Sequence, residues 1–437
     1  MCFLISTPQV SQADVFRLLP RDRDAIQVRV DLIQQAQHEI DCAYYAADTG
    51  RVPAAILALL IEAAQRGVRV RLLVDGLMSR LPIGLHRALQ AHGVEIHVYR
   101  PPENLCPLSL NQRMHDKLLI VDRHHLVVGS RNLQDAHFGQ RSPQFIDCDA
   151  YIKGPTAAWA AAYYQWLWNH GHVQSMASVN VVGQTITRLL PATDSVWKVA
   201  WQNAHGDADY LHLLQASLNA LEQQGFVQQH TGHCWSNGCD PHVDLEFVHE
   251  SDTSKSQRDL QRRLLSLIHN AQHSILIQTP YPVFAQLDLQ TIFDARQRNV
   301  RVVICTNSLA STDRLSTYSA FENTKDILLA AGVEIYEMPG PHHLHNKAVI
   351  IDDAISVVGS YNFDERSAHL NMEVSVIAYD AATAMQLRRI IESQMTGAHR
   401  VFSTPRLLDP RACDASRARH WKMHFGRLLA PAIRSLL

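Results

Sequence analysis

Two stretches of this 437-residue chain carry the same reactive side chains at the same spacing. The first, RMHDKLLIVDRHHLVVGSRN (113–132), holds His115, Lys117, Asp122, Gly129, Ser130 and Asn132. The second, HLHNKAVIIDDAISVVGSYN (343–362), holds His345, Lys347, Asp352, Gly359, Ser360 and Asn362. Counted from each histidine, the intervals are +2, +7, +14, +15 and +17 in both. A lone His-x-Lys is a common surface accident, whereas six matched positions occurring twice are not. An imidazole is a nucleophile and a proton carrier near pH 7, and an ammonium supplies fixed positive charge. Amide and hydroxyl donors complete an inventory that suits a phosphate. Two lysines can stabilise phosphoryl oxygens without a divalent metal, so neither metal nor cofactor is called for.

The surrounding residues say how these groups are held. Positions i and i+2 of a strand share a face, so His115 projects with Lys117 and His345 with Lys347. LLIV and AVII read as buried strand, and Asp122 and Asp352 fall where it ends in a hairpin turn. LVVG and SVVG return, leaving Ser130, Asn132, Ser360 and Asn362 at the start of a helix. There they would cap the helix or offer donors to an anion.

The duplication runs further. DLIQQAQHEIDCAYY (31–45) matches SLIHNAQHSILIQTP (266–280), IEAAQRGVRVRLLVD (61–75) matches IFDARQRNVRVVICT (292–306), and ALQAHGVEIHVY (88–99) matches ILLAAGVEIYEM (327–338). Helices alternating with β-branched strands predict an α/β fold. The expected architecture is two similar α/β/α-sandwich halves with mixed, mainly parallel sheets, related by pseudo-twofold symmetry. The expected boundaries are 1–175 for the first half, 176–255 for a less patterned connector, 256–400 for the second half and 401–437 for a basic amphipathic tail. The aromatic segment TAAWAAAYYQWLWNH (156–170) reads as a core-packing helix.

Hydrophobic residues at 46% and charged residues at 19% exclude a disordered chain. Lys plus Arg at 40 against Asp plus Glu at 42 gives a formal charge of −2, so nucleic acid is not an expected partner. The eight cysteines are scattered, mostly among apolar neighbours, and predict reduced, buried thiols. MCFLISTPQVSQ does not read as a secretory signal. The longest apolar run, Val52 to Ile61, is about half of the roughly 20 residues that a spanning helix needs. These features predict a cytoplasmic protein, soluble or peripheral at the inner membrane.

Both matched stretches resemble the HxK(x4)D…GSxN signature of the phospholipase D superfamily, and the duplication covers most of the chain, as in its two-motif members. Within it, the chain is most similar to bacterial cardiolipin synthases lacking N-terminal membrane helices. LNQRMHDKLLIVD (110–122) resembles their first motif, and GSYNFDERSAHLNMEVSVI (359–377) their second, with its Asp-x-Arg-Ser and Asn-x-Glu elements. GSRN at 129–132 departs from the GGRN of many such synthases but keeps the superfamily pattern. The resemblance implies phosphodiester exchange through a covalent phosphohistidine. It makes His115 the nucleophile and His345 the general acid and base, although the near symmetry of the halves leaves the reverse open. It also places Lys117, Asn132, Lys347 and Asn362 in the catalytic set, and gives the phosphate to these four with Ser130 and Ser360. Glu373 and Asp149 are the acceptors expected to orient the imidazoles, with Asp147 the alternative to Asp149. Asp122 and Asp352 are expected to be structural.

The implied reaction moves a phosphatidyl group to the hydroxyl of phosphatidylglycerol or a similar acceptor, with phosphatidylethanolamine a further candidate substrate. A hydrolytic phospholipase D and a nuclease of the same superfamily are the alternatives. The lack of a strong Lys/Arg run argues against the nuclease. SRARHWKMHFGRLLAPAIRSLL (416–437) places Trp421, Phe425, Leu428 and Leu429 at helical spacing among Arg417, Arg419, Lys422 and Arg427, with Pro431 expected to interrupt it. It reads as a terminal helix docked on its own domain or as an interfacial helix at an anionic membrane. HTGHCWSNGCDPH (230–242) gathers His230, His233, Cys234, Cys239 and His242 without a familiar zinc spacing and reads as a loop.

Overall fold

The computed structural model describes residues 14–101, 111–175, 200–237, 243–250, 258–402 and 415–433. Its first half contributes β1 (Val15–Leu19), β2 (Glu39–Tyr44), β3 (Arg69–Asp75), β4 (Val94–Tyr99), β5 (Lys117–Val121), β6 (His125–Gly129), β7 (Phe145–Ile146), β8 (Asp149–Lys153) and β9 (Val173–Ser175). The second contributes β10 (Leu245–His249), β11 (Ser274–Gln278), β12 (Arg301–Asn307), β13 (Glu334–Met338), β14 (His343–Leu344), β15 (Ala348–Ile351), β16 (Ile355–Gly359), β17 (Val374–Tyr379) and β18 (His399–Val401). One eight-stranded sheet runs β1-β8-β6-β5-β2-β3-β4-β9 and the other β10-β17-β16-β15-β11-β12-β13-β18. Strand for strand the two orders are the same, so the sequence repeat is a repeat of topology. β10 falls inside the 176–255 stretch, so the second sheet begins before residue 256.

The sheets are mixed, but the expectation of mainly parallel strands is corrected. Within the two eight-stranded sheets, among the described residues, only β2–β3–β4 and β11–β12–β13 run parallel. Their crossovers carry the helices Arg51–Gln65, Ile83–Ala91, Gln286–Gln297 and Leu315–Ala330. The HxK strand and its partner are joined by a tight turn, and a tight turn permits only antiparallel neighbours.

The two sheets pack face to face. Leu118, Ile120, Leu126 and Val128 share one apolar cluster with Ala348, Ile350, Val358 and Val376. The alternate residues Leu119 and Val121 point into a second cluster beneath the helices Asp22–Gln35 and Arg51–Gln65. β5 is therefore buried on both faces, which is why LLIV is apolar without alternation. The aromatic helix, Pro155–Trp168, buries Tyr163 and Tyr164 but leaves Trp159 71% exposed, so only one side of it is core.

The C-terminal helix Arg417–Ile433 docks on the helix Leu315–Ala330 and runs through Pro431 instead of stopping there. Pro431 has no N–H to give the carbonyl four residues earlier. That carbonyl, on Arg427, instead accepts from Asn323 Nδ2 at 3.3 Å. Among the described residues, no helix is long and apolar enough to cross a membrane. Cys42, Cys148 and Cys305 are buried free thiols, and Cys234 is an exposed one. Cys2, Cys106, Cys239, Cys413 and His242 lie outside the described residues.

Candidate active site

Each HxK hairpin is anchored by its aspartate. Asp122 (φ 51°) accepts from the backbone N–H groups of Gln37, His38 and Glu39 at 2.7–2.9 Å, clamping the turn to the start of β2. Asp352 (φ 54°) does the same for Gln272, His273 and Ser274 at 2.7–2.8 Å. The motif glycines have a steric cause. A Cβ on Gly129 would collide with the Asp149 carboxylate, and one on Gly359 with the Val374 carbonyl and the Ser375 hydroxyl.

The histidines lie just before β5 and β15, on backbone that pairs across the halves. Met114 bridges Met372, and His115 N–H donates to Met372 O at 2.9 Å. Reciprocally, β14 pairs with β7, and His345 N–H donates to Ile146 O at 2.9 Å. Each histidine is thereby laid beside an acid of the opposite half. Glu373 Oε2 lies 2.9 Å from His115 Nδ1, and Asp147 Oδ1 lies 2.8 Å from His345 Nδ1. All four side chains are buried. With Nδ1 engaged, Nε2 is the nitrogen left for chemistry on each ring.

The acids are held in turn. Glu373 accepts from Ser360 Oγ, from Ser367 Oγ at 2.7 Å and from Asn371 Nδ2 at 3.2 Å. Asp147 accepts from Ser130 Oγ at 2.6 Å, and its Oδ2 lies 2.7 Å from His137 Nδ1. His137 is 22 residues after His115, and Ser367 is 22 after His345. The two halves thus fill one structural place with an imidazole and a hydroxyl. His137, Asp147 and His345 also form the group of possible metal ligands found among the described residues, with ligand atoms within 4.8 Å of one another. Those atoms are already paired in the two His–Asp contacts.

Asp149 does not orient a histidine, which corrects that expectation. It faces Arg29 Nη2 at 2.8 Å and Arg131 Nη1 at 3.5 Å, and accepts from the Ser130 and Arg131 backbone N–H groups at 3.1 and 3.2 Å. The register explains the swap. Gly129 pairs with Asp149, and Gly359 pairs with Ser375. Asp149 is thus the counterpart of Ser375, and Asp147, two residues earlier, is the counterpart of Glu373. Ser130 and Ser360 are also corrected. They cap no helix and are fully buried with their hydroxyls on the acids. The helix Glu365–His369 is capped instead by Asp364, which accepts from Ser367 N–H at 2.7 Å.

His115 and His345 both open onto one cavity of about 220 Å³, with Asn132 and Asn362 in its wall. The amide oxygens of Asn132 and Asn362 are buried without a hydrogen-bond partner. Lys117 Nζ and Lys347 Nζ donate to the carbonyls of their own histidines, and Lys117 lies 5.0 Å from the Tyr45 ring centroid. Burial, then the Lys117 and Lys347 ammoniums, holds the His115 imidazole well below its ordinary range. Burial, then the Lys347 ammonium, also holds His345 well below its ordinary range, with Asp147 only partly opposing them. Burial brings Lys117 down to about 8, while burial and the Lys117 charge hold Lys347 well below its usual range. Burial pushes Glu373 up. Burial also works against the Asp147 carboxylate, but His345 and His137 outweigh it and hold the group well below its ordinary value.

Sequence reasoning missed His137, Tyr45, Arg80 and Arg314, all in the cavity wall. The repeat interval carried a usable signal for His137, whereas nothing at the positions of Tyr45, Arg80 and Arg314 marks them. In the 230–242 loop, His230 N–H donates to Gln34 Oε1 and buried Trp235 donates to Asp31, so its described contacts tie it to the helix Asp22–Gln35.

Comparison with known proteins agrees with this geometry. The family described as "Cardiolipin synthase, PLD-like domain" matches residues 30–168 and 264–395, which carry six of the eight strands of each sheet. Cardiolipin synthase C of Escherichia coli K12 is 29% identical over 87% of this chain and 85% of its own length. Cardiolipin synthase A of Cronobacter sakazakii is 26% identical over 90% of this chain and 70% of its own. In fold, the chain is similar to the crystal structure of phosphatidylserine synthase from Haemophilus influenzae Rd KW20, with a TM-score of 0.67, 14% identity and coverage of 98% and 96%. With two matched regions that take up more than half its length and two complete HxK hairpins, the chain belongs to the cardiolipin synthase, PLD-like domain family of the phospholipase D superfamily.

Proposed function

We propose that this protein is a phospholipid phosphatidyltransferase that makes cardiolipin through a phosphohistidine on His115. The observation that carries the reading is the crossed pair of imidazoles. Each is bonded through Nδ1 to a carboxylate of the other half, and both open onto one cavity. The cardiolipin product is argued from the relatives' names and the family description.

In this scheme His115 Nε2 attacks the phosphorus of a donor phospholipid. A P–N bond forms while the P–O bond to the headgroup alcohol breaks, and His345 gives its proton to that alcohol. The hydroxyl of an acceptor such as phosphatidylglycerol then returns a proton to His345, and its oxygen displaces His115 from phosphorus. Asn132 and Asn362 face the phosphoryl oxygens from the cavity wall, and the buried Lys117 and Lys347 ammoniums supply positive charge from behind the histidines. Electrostatics support this order of roles. His115 sits among cations and stays unprotonated, and with its one ring proton on Nδ1 facing Glu373 the Nε2 lone pair is nucleophilic. His345 is held low as well, but it faces an ionised carboxylate that partly restores its proton affinity, and this suits the ring that must carry a proton.

The test is mass spectrometry of lipid products from phosphatidylglycerol, with and without phosphatidylethanolamine, using wild type, His115→Asn and His345→Asn. Wild type should yield cardiolipin, and both variants should be inactive yet folded. Phosphatidic acid as the sole product would replace transfer by hydrolysis, and cleaved DNA in a parallel reaction would favour a nuclease. Near-wild-type turnover in either variant would overturn the mechanism.

A further inference from the structure

The C-terminal helix leaves two large aromatics in solvent beside the active-site mouth. Trp421 is 79% and Phe425 66% exposed, four residues apart and so on one face, while Met423 is buried on the other side. Beneath them is an open apolar groove of about 450 Å³, walled by Leu315, Ser319, Trp421 and Phe425. The first turn of the helix Leu315–Ala330 separates this groove from the catalytic cavity. Arg314 and Thr317 line the cavity, and Leu315 and Ser316 line the groove. Arg419 ties the C-terminal helix to the rim of the cavity by donating to Thr312 O at 2.6 Å.

A soluble partner would not explain why the aromatics stand next to a phosphate-sized, cationic cavity. A bilayer does. Indole and phenyl rings partition into the headgroup boundary, an exposed lysine beside them attracts anionic lipid, and the chains of a lipid whose phosphate is bound need an apolar exit. Lys422 and His424 are the exposed residues between the two aromatics, and Lys422 carries the fixed positive charge. We propose that Trp421 and Phe425, with Lys422, form an interfacial anchor that seats the cavity mouth on an anionic phospholipid bilayer. The proposal rests on the phosphatidyl-transfer reading and adds the surface through which the substrate arrives.

The test is co-sedimentation of the full chain with vesicles of phosphatidylglycerol and phosphatidylcholine, and with phosphatidylcholine alone. Turnover of a short-chain phosphatidylglycerol below its micelle concentration is measured on wild type alongside. Trp421→Ala/Phe425→Ala should weaken partitioning on the order of a hundredfold, with an unchanged melting temperature because both side chains are exposed. Lys422→Glu should weaken binding to the anionic vesicles only. If the double variant binds like wild type, or wild type ignores anionic vesicles, the anchor is wrong. Turnover of the monomeric lipid in that case leaves the transferase reading standing. No turnover of any lipid sinks the transferase reading whatever the vesicles do.

Discussion

Asp147→Asn is expected to abolish turnover while leaving the protein folded, and Asp149→Asn is expected to do the reverse. Asp147 faces His345 at 2.8 Å with both side chains buried. At an effective dielectric of about 20, a unit charge pair at that separation is worth at most about 6 kcal/mol. The interaction is felt mainly when His345 is protonated, that is, when it acts as an acid. Every ~1.4 kcal/mol is a factor of ten in rate. Losing most of the pair therefore predicts a fall of roughly a thousand- to ten-thousandfold, reinforced because the new amide can favour the wrong tautomer. Asp149 instead compensates two buried guanidiniums, Arg29 and Arg131. Removing its charge should cost about 3–5 kcal/mol of stability and lower the melting temperature, with the rate per folded molecule within about tenfold of wild type. Product analysis by mass spectrometry and thermal melting by circular dichroism read both effects. An Asp147→Asn enzyme at wild-type rate, beside a stable but dead Asp149→Asn, would refute the crossed-carboxylate arrangement.

Replacing His137 separates geometry from charge. His137→Ser, which copies Ser367, should keep a donor for Asp147 and hold the rate within about tenfold, while His137→Ala should lose more, as a kcat ratio will show. Asp122→Ala and Asp352→Ala each remove three hydrogen bonds to partly solvated backbone N–H groups, so each should cost roughly 1–2 kcal/mol by denaturant titration. Turnover per folded molecule should persist. Burial raises Asp288 from 3.8 to about 7. The folded chain therefore holds a proton there that the unfolded chain releases above pH about 4. This contribution to stability is present at low pH and is lost as pH rises through about 7. Asp288→Asn should accordingly gain melting temperature relative to wild type between pH 5 and pH 8, and a constant difference across that range would contradict the assignment.

The duplication, the α/β class and the two HxK hairpins were legible in the chain before any folding was considered, because these depend on local periodicity and on short, repeated intervals. Asp122 and Asp352 were legible for the same reason, since each acts within its own turn and the strand start beside it. Sequence alone did not show which acid meets which imidazole. The contact between His115 and Glu373 spans 258 residues, and that between His345 and Asp147 spans 198. Both arise from pairing across the two halves, Met114 with Met372 and β14 with β7. Counting from each histidine within its own half could not reveal a partner supplied by the other. The strand register settled the choice between Asp147 and Asp149, because a shift of two residues along the chain moves a carboxylate from His345 to a buried pair of guanidiniums. The contacts of His137, Arg314 and the C-terminal aromatics were likewise tertiary decisions, since each depends on which element packs beside it.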